Sequence, residues 1–236
     1  GGDPASLVEG SGGLIRVQDE GSQLAALALT RAVPIAAGER WLDLCAAPGG
    51  KTAVLAAEAL AHGAQLEANE IAPARASLVR DSVSGVPLSV PVSEEDGRTR
   101  AAHGRYDRIL VDAPCTGLGA LRRRPEARWR KQPADVPELA ALQAELLAAA
   151  FDALTPGGIV AYVTCSPHLA ETAAVVSEAL RTLGDRVEEL DARAVVAALS
   201  SAPIDLAAPT DGSGRAQLWP HRHGTDAMSI SLLRRR

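Results

Sequence analysis

The fold of this chain is decided by the stretch Arg40-Trp-Leu-Asp-Leu-Cys-Ala-Ala-Pro-Gly-Gly-Lys-Thr52, in which an apolar run meets a turn and a helix. Trp41 to Leu44 predict a buried strand, and the strong helix formers from Ala53 to Leu60 predict a helix. Pro48 to Gly50 must therefore turn the chain between them. Because glycines let the backbone approach a ligand and a helix start presents free N–H groups, this turn indicates a nucleotide-binding site.

Two kinds of nucleotide site fit parts of this turn. A phosphate-binding loop requires a glycine, four residues and then Gly-Lys-Ser/Thr, but Cys45 stands where the first glycine belongs. A Rossmann-type site requires an acidic residue about 20 residues beyond the glycines to bind ribose hydroxyls, and Glu70 stands at that distance from Gly50. The turn therefore favours a cofactor that carries adenosine, and an ATPase stays open as the alternative.

The composition fits one soluble enzyme domain. With 236 residues and 47% hydrophobic content, the chain can bury one substantial core. Nothing in it resembles a signal peptide or a membrane-spanning run, so we expect a cytoplasmic monomer that binds no membrane. Its three cysteines include no Cys-x-x-Cys pair and fit a reducing compartment. The net charge of −5 disfavours a protein that coats nucleic acid nonspecifically.

Residues 1–16 and 17–236 differ in character. Residues 1–16 are rich in glycine and small side chains, and we interpret them as a leader or the remnant of a missing upstream region. Residues 17–236 are predicted to form the catalytic domain. The chain does not begin with Met, and Met228 is its only methionine, which suggests that something upstream is missing.

Predicted strands and helices alternate after the opening turn. Beyond Trp41–Leu44, the predicted strands are Gln65–Glu70, Leu88–Val92, Tyr106–Asp112, Ile159–Thr164, Arg186–Leu190 and Met228–Leu233. The predicted helices run from a Ser22 cap to Arg31, from Pro73, from Val136 to Leu154 and from Leu169. This order predicts an α/β fold with a doubly wound, mostly parallel sheet of seven strands. The connection 191–227 is left without an assignment.

The three cysteines follow three predicted strands that are neighbours in the usual strand order. Ligands of such sheets bind outside the carboxyl ends of the strands, so we expect Cys45, Cys115 and Cys165 to face one crevice. A lone cysteine is usually a small buried hydrophobe, which suits Cys45. Cys115 and Cys165 each adjoin a proline and a strand-ending turn, which favours exposure and a chemical role. Zinc needs a further ligand, and only His168 is close in sequence, so we expect no metal.

Charged residues near these turns are further candidates. Asp112 ends an apolar strand just before Pro114 and Cys115, which favours a role at the ligand over a simple turn or cap. Asp96 is the same case in a more polar loop. Lys51 is one of two lysines, and a cation in the first turn opposes the helix dipole unless it serves a ligand or a carboxylate.

A basic segment follows Cys115 and carries six positive charges and one aromatic side chain. Such a run is often a solvated face, but arginines for phosphates beside a tryptophan that stacks on a base suit single-stranded RNA. The predicted RNA-binding residues are Arg122, Arg123, Arg124, Arg128, Trp129, Arg130 and Lys131. A noncatalytic RNA-binding module therefore also stays open.

Five blocks of this sequence together resemble the Sun (RsmB-like) family of RNA cytosine methyltransferases, in its bacterial branch that acts on small-subunit ribosomal RNA. The blocks are Val17-Gln-Asp-Glu-Gly-Ser-Gln23, Leu42-Asp-Leu-Cys-Ala-Ala-Pro-Gly-Gly-Lys-Thr52, Asp107-Arg-Ile-Leu-Val-Asp-Ala-Pro-Cys-Thr-Gly117, Arg123-Arg-Pro125 and Thr164-Cys-Ser-Pro167. The segment Gly224-Thr-Asp-Ala-Met228 is similar to the family's closing motif.

The resemblance implies a class I methyltransferase fold and S-adenosylmethionine as the cofactor. It implies that Cys45, Ala46, Ala47, Pro48, Gly49, Gly50 and Lys51 wrap the methionine part of the cofactor. Glu70, where the family more usually has Asp, would hold the ribose, and Asp96 would lie near the adenine. Asp112, a further predicted cofactor contact, would also hold the edge of the cytosine ring together with Lys51.

The resemblance also divides the two chemical roles between two thiols. It implies that Cys165 is the nucleophile that adds to carbon 6 of cytosine and that Cys115 assists product release. The residues alone leave this order open, because a Pro-Cys pair such as Pro114-Cys115 carries the nucleophile of the related DNA enzymes. The implied reaction is methylation of carbon 5 of a cytosine in RNA.

Overall fold

The computed structural model describes residues 8, 10, 11 and 15–236, and an eight-stranded sheet forms its centre. The strands are β1 (Arg40–Asp43), β2 (Gln65–Asn69), β3 (Val92–Ser93), β4 (Tyr106–Asp112), β5 (Leu154–Thr164), β6 (Val187–Leu190), β7 (Ala216–Gln217) and β8 (Ser229–Arg235). Their order is β3-β2-β1-β4-β5-β8-β6, and β7 pairs with the start of β8. The prediction for residues 1–16 falls largely outside the described residues.

Helices connect the strands and cover the sheet. They are α1 (Glu20–Arg31), α2 (Gly50–His62), α3 (Pro73–Val83), α4 (Gly97–Ala101), α5 (Ala127–Arg130), α6 (Asp135–Asp152), α7 (Ala173–Leu183), α8 (Ala192–Leu199) and α9 (Pro220–His223). In the described part of the chain, none of these helices combines the length and the apolar character that crossing a membrane requires.

The predicted α/β architecture is confirmed, with corrections to its details. Strands β1 to β5 pair in parallel, and β8 runs antiparallel between β5 and β6. The sheet has eight strands, not seven, because the unassigned connection contains β7. The third strand is only Val92–Ser93, since two prolines interrupt the apolar run before it. Helix α1 begins at Glu20, and Asp19 rather than Ser22 caps it by accepting the Gly21 N–H.

Alternating side chains of the strands divide the core between the two faces of the sheet. On one face, Trp41 and Leu110 belong to a buried cluster that includes the apolar sides of α1, α2 and α8. On the other face, Leu42 and Ile109 belong to a cluster that includes α6 and α7. Because both faces are covered, the central strands read as continuous apolar runs. Because β1, β4 and β5 run parallel, the residues that follow them lie at the same edge of the sheet.

Candidate active site

A cavity of about 540 Å³ opens at the carboxyl ends of β1, β4 and β5. Its walls come from the segment that leads into α1, the turn after β1, the two cysteine loops and the basic segment. The lining side chains with polar or reactive groups include Gln18, Asp19, Ser22, Lys51, Arg75, Asp112, Cys115, Thr116, Arg123, Arg124, Arg130, Lys131, Cys165 and Asp226. The crevice predicted from the strand order is therefore present.

The turn after β1 has the tight geometry that its glycines predict. Gly49 donates its N–H to the Ala46 carbonyl over 2.8 Å and has φ +103°, a conformation that favours glycine. A Cβ at Gly49 would lie 2.5 Å from the Ser82 side chain, so the turn also packs closely against α3. Ala46, Ala47, Pro48 and Gly50 line the cavity. Small residues therefore leave this wall open to a ligand.

Lys51 and Asp112 form an ion pair inside the cavity. The Lys51 Nζ lies 2.8 Å from Asp112 Oδ2, and the side chains are 10% and 23% exposed. Burial works to lower the pKa of Lys51, but the Asp112 carboxylate outweighs it and the pKa is raised. Lys51 is therefore a charged donor at the cavity wall. Its ion pair with Asp112 agrees with the prediction that a cation in the first turn of this helix serves a ligand or a carboxylate.

The two cysteine loops meet at the wall of the cavity. The sulfur atoms of Cys115 and Cys165 lie 3.4 Å apart, within hydrogen-bond distance for a thiol and a thiolate. The hydrogen bond from Cys115 lowers the pKa of Cys165, assisted by Lys51 and opposed by burial. The same hydrogen bond and burial raise the pKa of Cys115. Cys165 is thus the more readily ionised thiol of the pair, and a hydrogen bond from Cys115 favours its thiolate form.

Cys45 does not share this surface. Its side chain packs against the core cluster on the α6 side of the sheet, and it does not line the cavity. Burial raises the pKa of the Cys45 thiol. The expectation that all three cysteines face one crevice is wrong for Cys45, because the chain turns directly after it and directs its side chain into the core. Its predicted contact with the cofactor stays a prediction.

Glu70 and Asp96 lie at the carboxyl ends of the neighbouring strands, and neither lines the cavity itself. Glu70 accepts the Ala72 N–H over 3.1 Å and lies 3.5 Å from Arg75, which does line the cavity. Asp96 caps α4 through the Arg98 N–H, and hydrogen bonds from Arg98 lower the pKa of Asp96 to about 2. Their roles at the ribose and adenine stay predictions.

The basic segment divides into side chains that are anchored and side chains that are presented. Arg123 forms an ion pair with the buried Asp226 carboxylate, and Arg122 lies 3.6 Å from Asp19. Arg124, Arg130 and Lys131 line the cavity. Arg128 does not line it, and the side chain of Trp129 is 82% exposed. Arg122 and Arg123 thus hold the segment in place, and the seven predicted RNA contacts stay predictions.

Two buried polar residues beside the thiols escaped the sequence reasoning. Glu171 and Gln143 are both fully buried, and they hydrogen-bond to the backbone of the Cys115 loop. The signal for Gln143 was a polar residue among apolar positions of a long helix, where burial requires a hydrogen-bonding partner. No group of three or more His, Cys, Asp or Glu within the described residues could hold a metal ion.

The sheet order, the glycine turn and the cavity at the strand ends define a class I methyltransferase. More narrowly, the chain belongs to the family described as 16S rRNA methyltransferase RsmB/F, whose sequence profile matches residues 32–234. The resemblance inferred from the five sequence blocks is therefore confirmed. Members of this family are S-adenosylmethionine-dependent, which confirms the predicted cofactor and disfavours the ATPase interpretation.

Three relatives illustrate this similarity. The putative methyltransferase Rv1407 of Mycobacterium tuberculosis is 53% identical over 99% of this chain and 49% of its own length. Ribosomal RNA small subunit methyltransferase B of Serratia proteamaculans is 39% identical over 75% of this chain and 41% of its own length. The crystal structure of PH0851 superimposes with a TM-score of 0.82 and 29% identity, over 99% of this chain and 50% of that one. The chain thus spans about half the length of these relatives.

Proposed function

We propose that this chain transfers a methyl group from S-adenosylmethionine to carbon 5 of a cytosine in small-subunit ribosomal RNA, through a covalent bond between Cys165 and the base. The observation that carries the proposal is the pair of sulfur atoms 3.4 Å apart in the cavity that also contains Lys51 and Asp112. A methyltransferase that modifies an oxygen or nitrogen atom needs no thiol nucleophile. Two thiols at one cavity wall are what carbon 5 chemistry needs.

Carbon 5 of cytosine is a poor nucleophile and must be activated. The Cys165 thiolate adds to carbon 6, and the electron pair of the carbon 5–carbon 6 double bond then makes carbon 5 enamine-like. When bound, S-adenosylmethionine would supply a methyl group on a positively charged sulfur; as carbon 5 takes this group, the sulfur–methyl bond would break and the neutral thioether S-adenosylhomocysteine would leave. The methylated base keeps its bond to Cys165 until the proton on carbon 5 is removed. Loss of that proton restores the double bond and expels the Cys165 thiolate.

We infer that Cys115 assists the second half of this sequence. Once Cys165 is bonded to carbon 6, it no longer accepts the hydrogen bond of Cys115, and the Cys115 sulfur lies 3.4 Å from the former thiolate position. The Cys115 thiol can then donate its proton to the departing Cys165 sulfur, and the resulting Cys115 thiolate can take the proton from carbon 5, so that both thiols are restored. Lys51, held by Asp112, contributes a positive charge beside both steps and favours electron flow into the ring.

The residues present suit the cofactor. Ala46, Ala47 and Gly50 present no bulky side chain at their wall of the cavity, so the backbone of the turn is accessible. Glu70 directly follows β2, and an acidic residue at this strand end typically binds ribose hydroxyls in this architecture, so we assign it that role.

RNA as the substrate is supported by the basic segment and by the relatives. Arg124, Arg130 and Lys131 place positive charge at the cavity, where phosphates flanking a target base would lie. The exposed Trp129 offers an aromatic surface on which an unpaired base can stack. Because the Serratia relative is named as a small-subunit ribosomal RNA methyltransferase, we propose the same class of RNA for this chain.

The two cysteines provide the decisive experiment. With substrate RNA and S-adenosylmethionine, Cys165→Ala should form no covalent adduct and transfer no methyl group, because carbon 5 is never activated. Cys115→Ala should still attack and methylate but release product slowly, so a protein–RNA adduct that survives denaturing electrophoresis should accumulate. The double variant Cys115→Ala/Cys165→Ala should form none.

Other results would contradict the proposal in distinct ways. An adduct in Cys165→Ala that is absent in Cys115→Ala would mean that the two roles are reversed. Methyl transfer by the double variant would exclude a thiol mechanism altogether. No transfer from labelled cofactor to small-subunit RNA by the unmodified protein, together with retained RNA binding, would favour a noncatalytic RNA-binding module.

A further inference from the structure

A buried carboxylate lies between the two cysteine loops. Glu171 belongs to a short 3₁₀ turn (Leu169–Glu171) just beyond Cys165, and the residue is 0% exposed. Within the described residues, no lysine or arginine lies within ion-pair distance of it. A buried carboxylate without a cationic partner is costly, and only several hydrogen bonds compensate for its desolvation. Its partners therefore indicate what it is for.

Four donors converge on this carboxylate, and they come from three different elements. Oε1 accepts the Thr116 N–H over 2.7 Å and the Gln143 side-chain N–H over 3.3 Å. Oε2 accepts the Thr116 hydroxyl over 2.5 Å and the Ser166 hydroxyl over 2.6 Å. Thr116 directly follows Cys115, and Ser166 directly follows Cys165. The carboxylate thus bridges the residues next to the two thiols.

Neighbouring contacts hold the other sides of both loops. Gln143, on α6, also donates to the Pro114 carbonyl over 2.8 Å, so both residues flanking Cys115 are hydrogen-bonded. Gly119 donates its N–H to the Cys165 carbonyl over 2.9 Å. Neither cysteine loop can shift without breaking hydrogen bonds to buried groups, and such losses are expensive.

We propose that Glu171 is a positioning residue that holds the Cys115 and Cys165 loops together, so that the two sulfur atoms stay within hydrogen-bond distance. The proposal rests on the proposed function for its catalytic meaning, because the thiol pair matters only if Cys165 is the nucleophile. The structural arrangement itself is independent of the RNA substrate. Glu171 does not line the cavity, so it acts on the reaction only through the thiols.

The charge of Glu171 and its positioning role predict opposite effects. The negative charge of Glu171 raises the pKa of Cys115. By the same repulsion, removing the charge alone would make a thiolate in the pair easier to form, at Cys165 as well as at Cys115. Losing the bridge would separate the sulfur atoms and withdraw the hydrogen bond that stabilises the Cys165 thiolate, which makes ionisation harder. Glu171→Asp keeps the charge but shortens the side chain by one methylene group. Glu171→Gln keeps the length but replaces one acceptor by a donor that faces other donors.

The test is the pH dependence of Cys165 alkylation by iodoacetamide in the free protein, with the modified peptide quantified by mass spectrometry. Both variants should shift the midpoint of the alkylation rate upward by about one pH unit, the effect of losing one hydrogen bond to a charged group. Glu39→Gln changes another largely buried glutamate far from both cysteines in sequence. It should lower thermal stability without moving the midpoint, and it controls for general destabilisation.

Each result decides the proposal. A downward shift in Glu171→Gln with no shift in Glu171→Asp would assign Glu171 a purely electrostatic effect and overturn the positioning role. Unchanged midpoints in both variants would do the same. If neither variant folds, Thr116→Val removes one of the bridging hydroxyls, and an unchanged midpoint there would overturn the proposal. The alkylation assay contains neither RNA nor cofactor. If the midpoint shifts upward but the unmodified protein does not methylate RNA, the positioning role of Glu171 is supported and only the proposed function is rejected.

Discussion

Arg108 offers the most direct test of how α1 is held against the sheet. Arg108 is 1% exposed, and its guanidinium donates hydrogen bonds to the Glu39 carboxylate over 2.7 Å and 3.2 Å. It also donates to the carbonyls of Leu29, Val33 and Pro34 over 2.8, 3.2 and 3.0 Å. Carbonyls at a helix C-terminus lack partners within the helix, so this side chain joins the end of α1 to β4.

Arg108→Met keeps most of the apolar stem and removes every donor. Glu39 would then keep only the Trp41 side-chain N–H and the Ala36 N–H, and the carbonyls at the end of α1 would lose their donors. Breaking one side of a buried ion pair costs about 3–5 kcal/mol. For a chain of this size each kcal/mol corresponds to roughly 2–4 °C, so the melting temperature should fall by about 6–20 °C.

Urea and thermal unfolding measure this loss, with the exposed Arg105→Met as the matched control, which should change stability by less than about 0.5 kcal/mol. The double variant Arg108→Met/Glu39→Gln should lose less than the sum of its two single changes, because both remove the same pair. A loss below about 1 kcal/mol for Arg108→Met, the range of exposed ion pairs, would refute the assignment of this side chain as a buried anchor.

The stability that Arg108→Met loses should depend on pH. Burial works to raise the pKa of Glu39, but hydrogen bonds from Arg108, Ala36 and Trp41 outweigh it, so the pKa lies below its usual value. A lowered carboxylate pKa stabilises the fold above about pH 4.5, and this contribution is lost as the pH falls through the folded pKa. The difference between Arg108→Met and the unmodified protein should therefore shrink at acid pH. A constant difference would contradict this origin.

Three further predictions follow from the site and its support. Glu70→Ala should weaken S-adenosylmethionine binding about tenfold or more, since each ribose hydrogen bond to a carboxylate is worth about 1.5 kcal/mol or more; unchanged calorimetric affinity would remove Glu70 from the site. Changing Arg124, Arg128 and Arg130 to glutamine should weaken RNA binding and flatten its salt dependence at equal cofactor affinity, whereas an equal slope would make the segment a solvated face. Burial raises the pKa of Asp43 from 3.8 to about 7, so stability should fall as the pH rises between these two values and level off above about 7, and Asp43→Asn should abolish that slope.

Local patterns predicted the elements and the chemistry-bearing turns. The apolar run at β4 and the glycine turn after β1 are local signals, because burial and backbone conformation at those positions depend on the residues themselves. The sequence predictions were wrong where the conformation of a segment depends on partners that are distant in the sequence. The helix start at Glu20 was missed because Asp19, which caps it, is also held by distant partners, the Asp226 N–H over 3.1 Å and Arg122 at 3.6 Å. The strand β7 was missed because its two residues become a strand only by pairing with β8.

The sequence by itself determined the strand alternation, the nucleotide-type turn and the two proline-flanked cysteines, since these depend on residue type and spacing along the chain. Tertiary structure alone decided which polar groups meet: Cys115 with Cys165, Arg123 with Asp226 and Arg108 with the end of α1. The physical reason is that a hydrogen bond or an ion pair depends on a separation of a few ångströms. Partners 50 to 103 residues apart reach it only when the sheet brings their strands side by side.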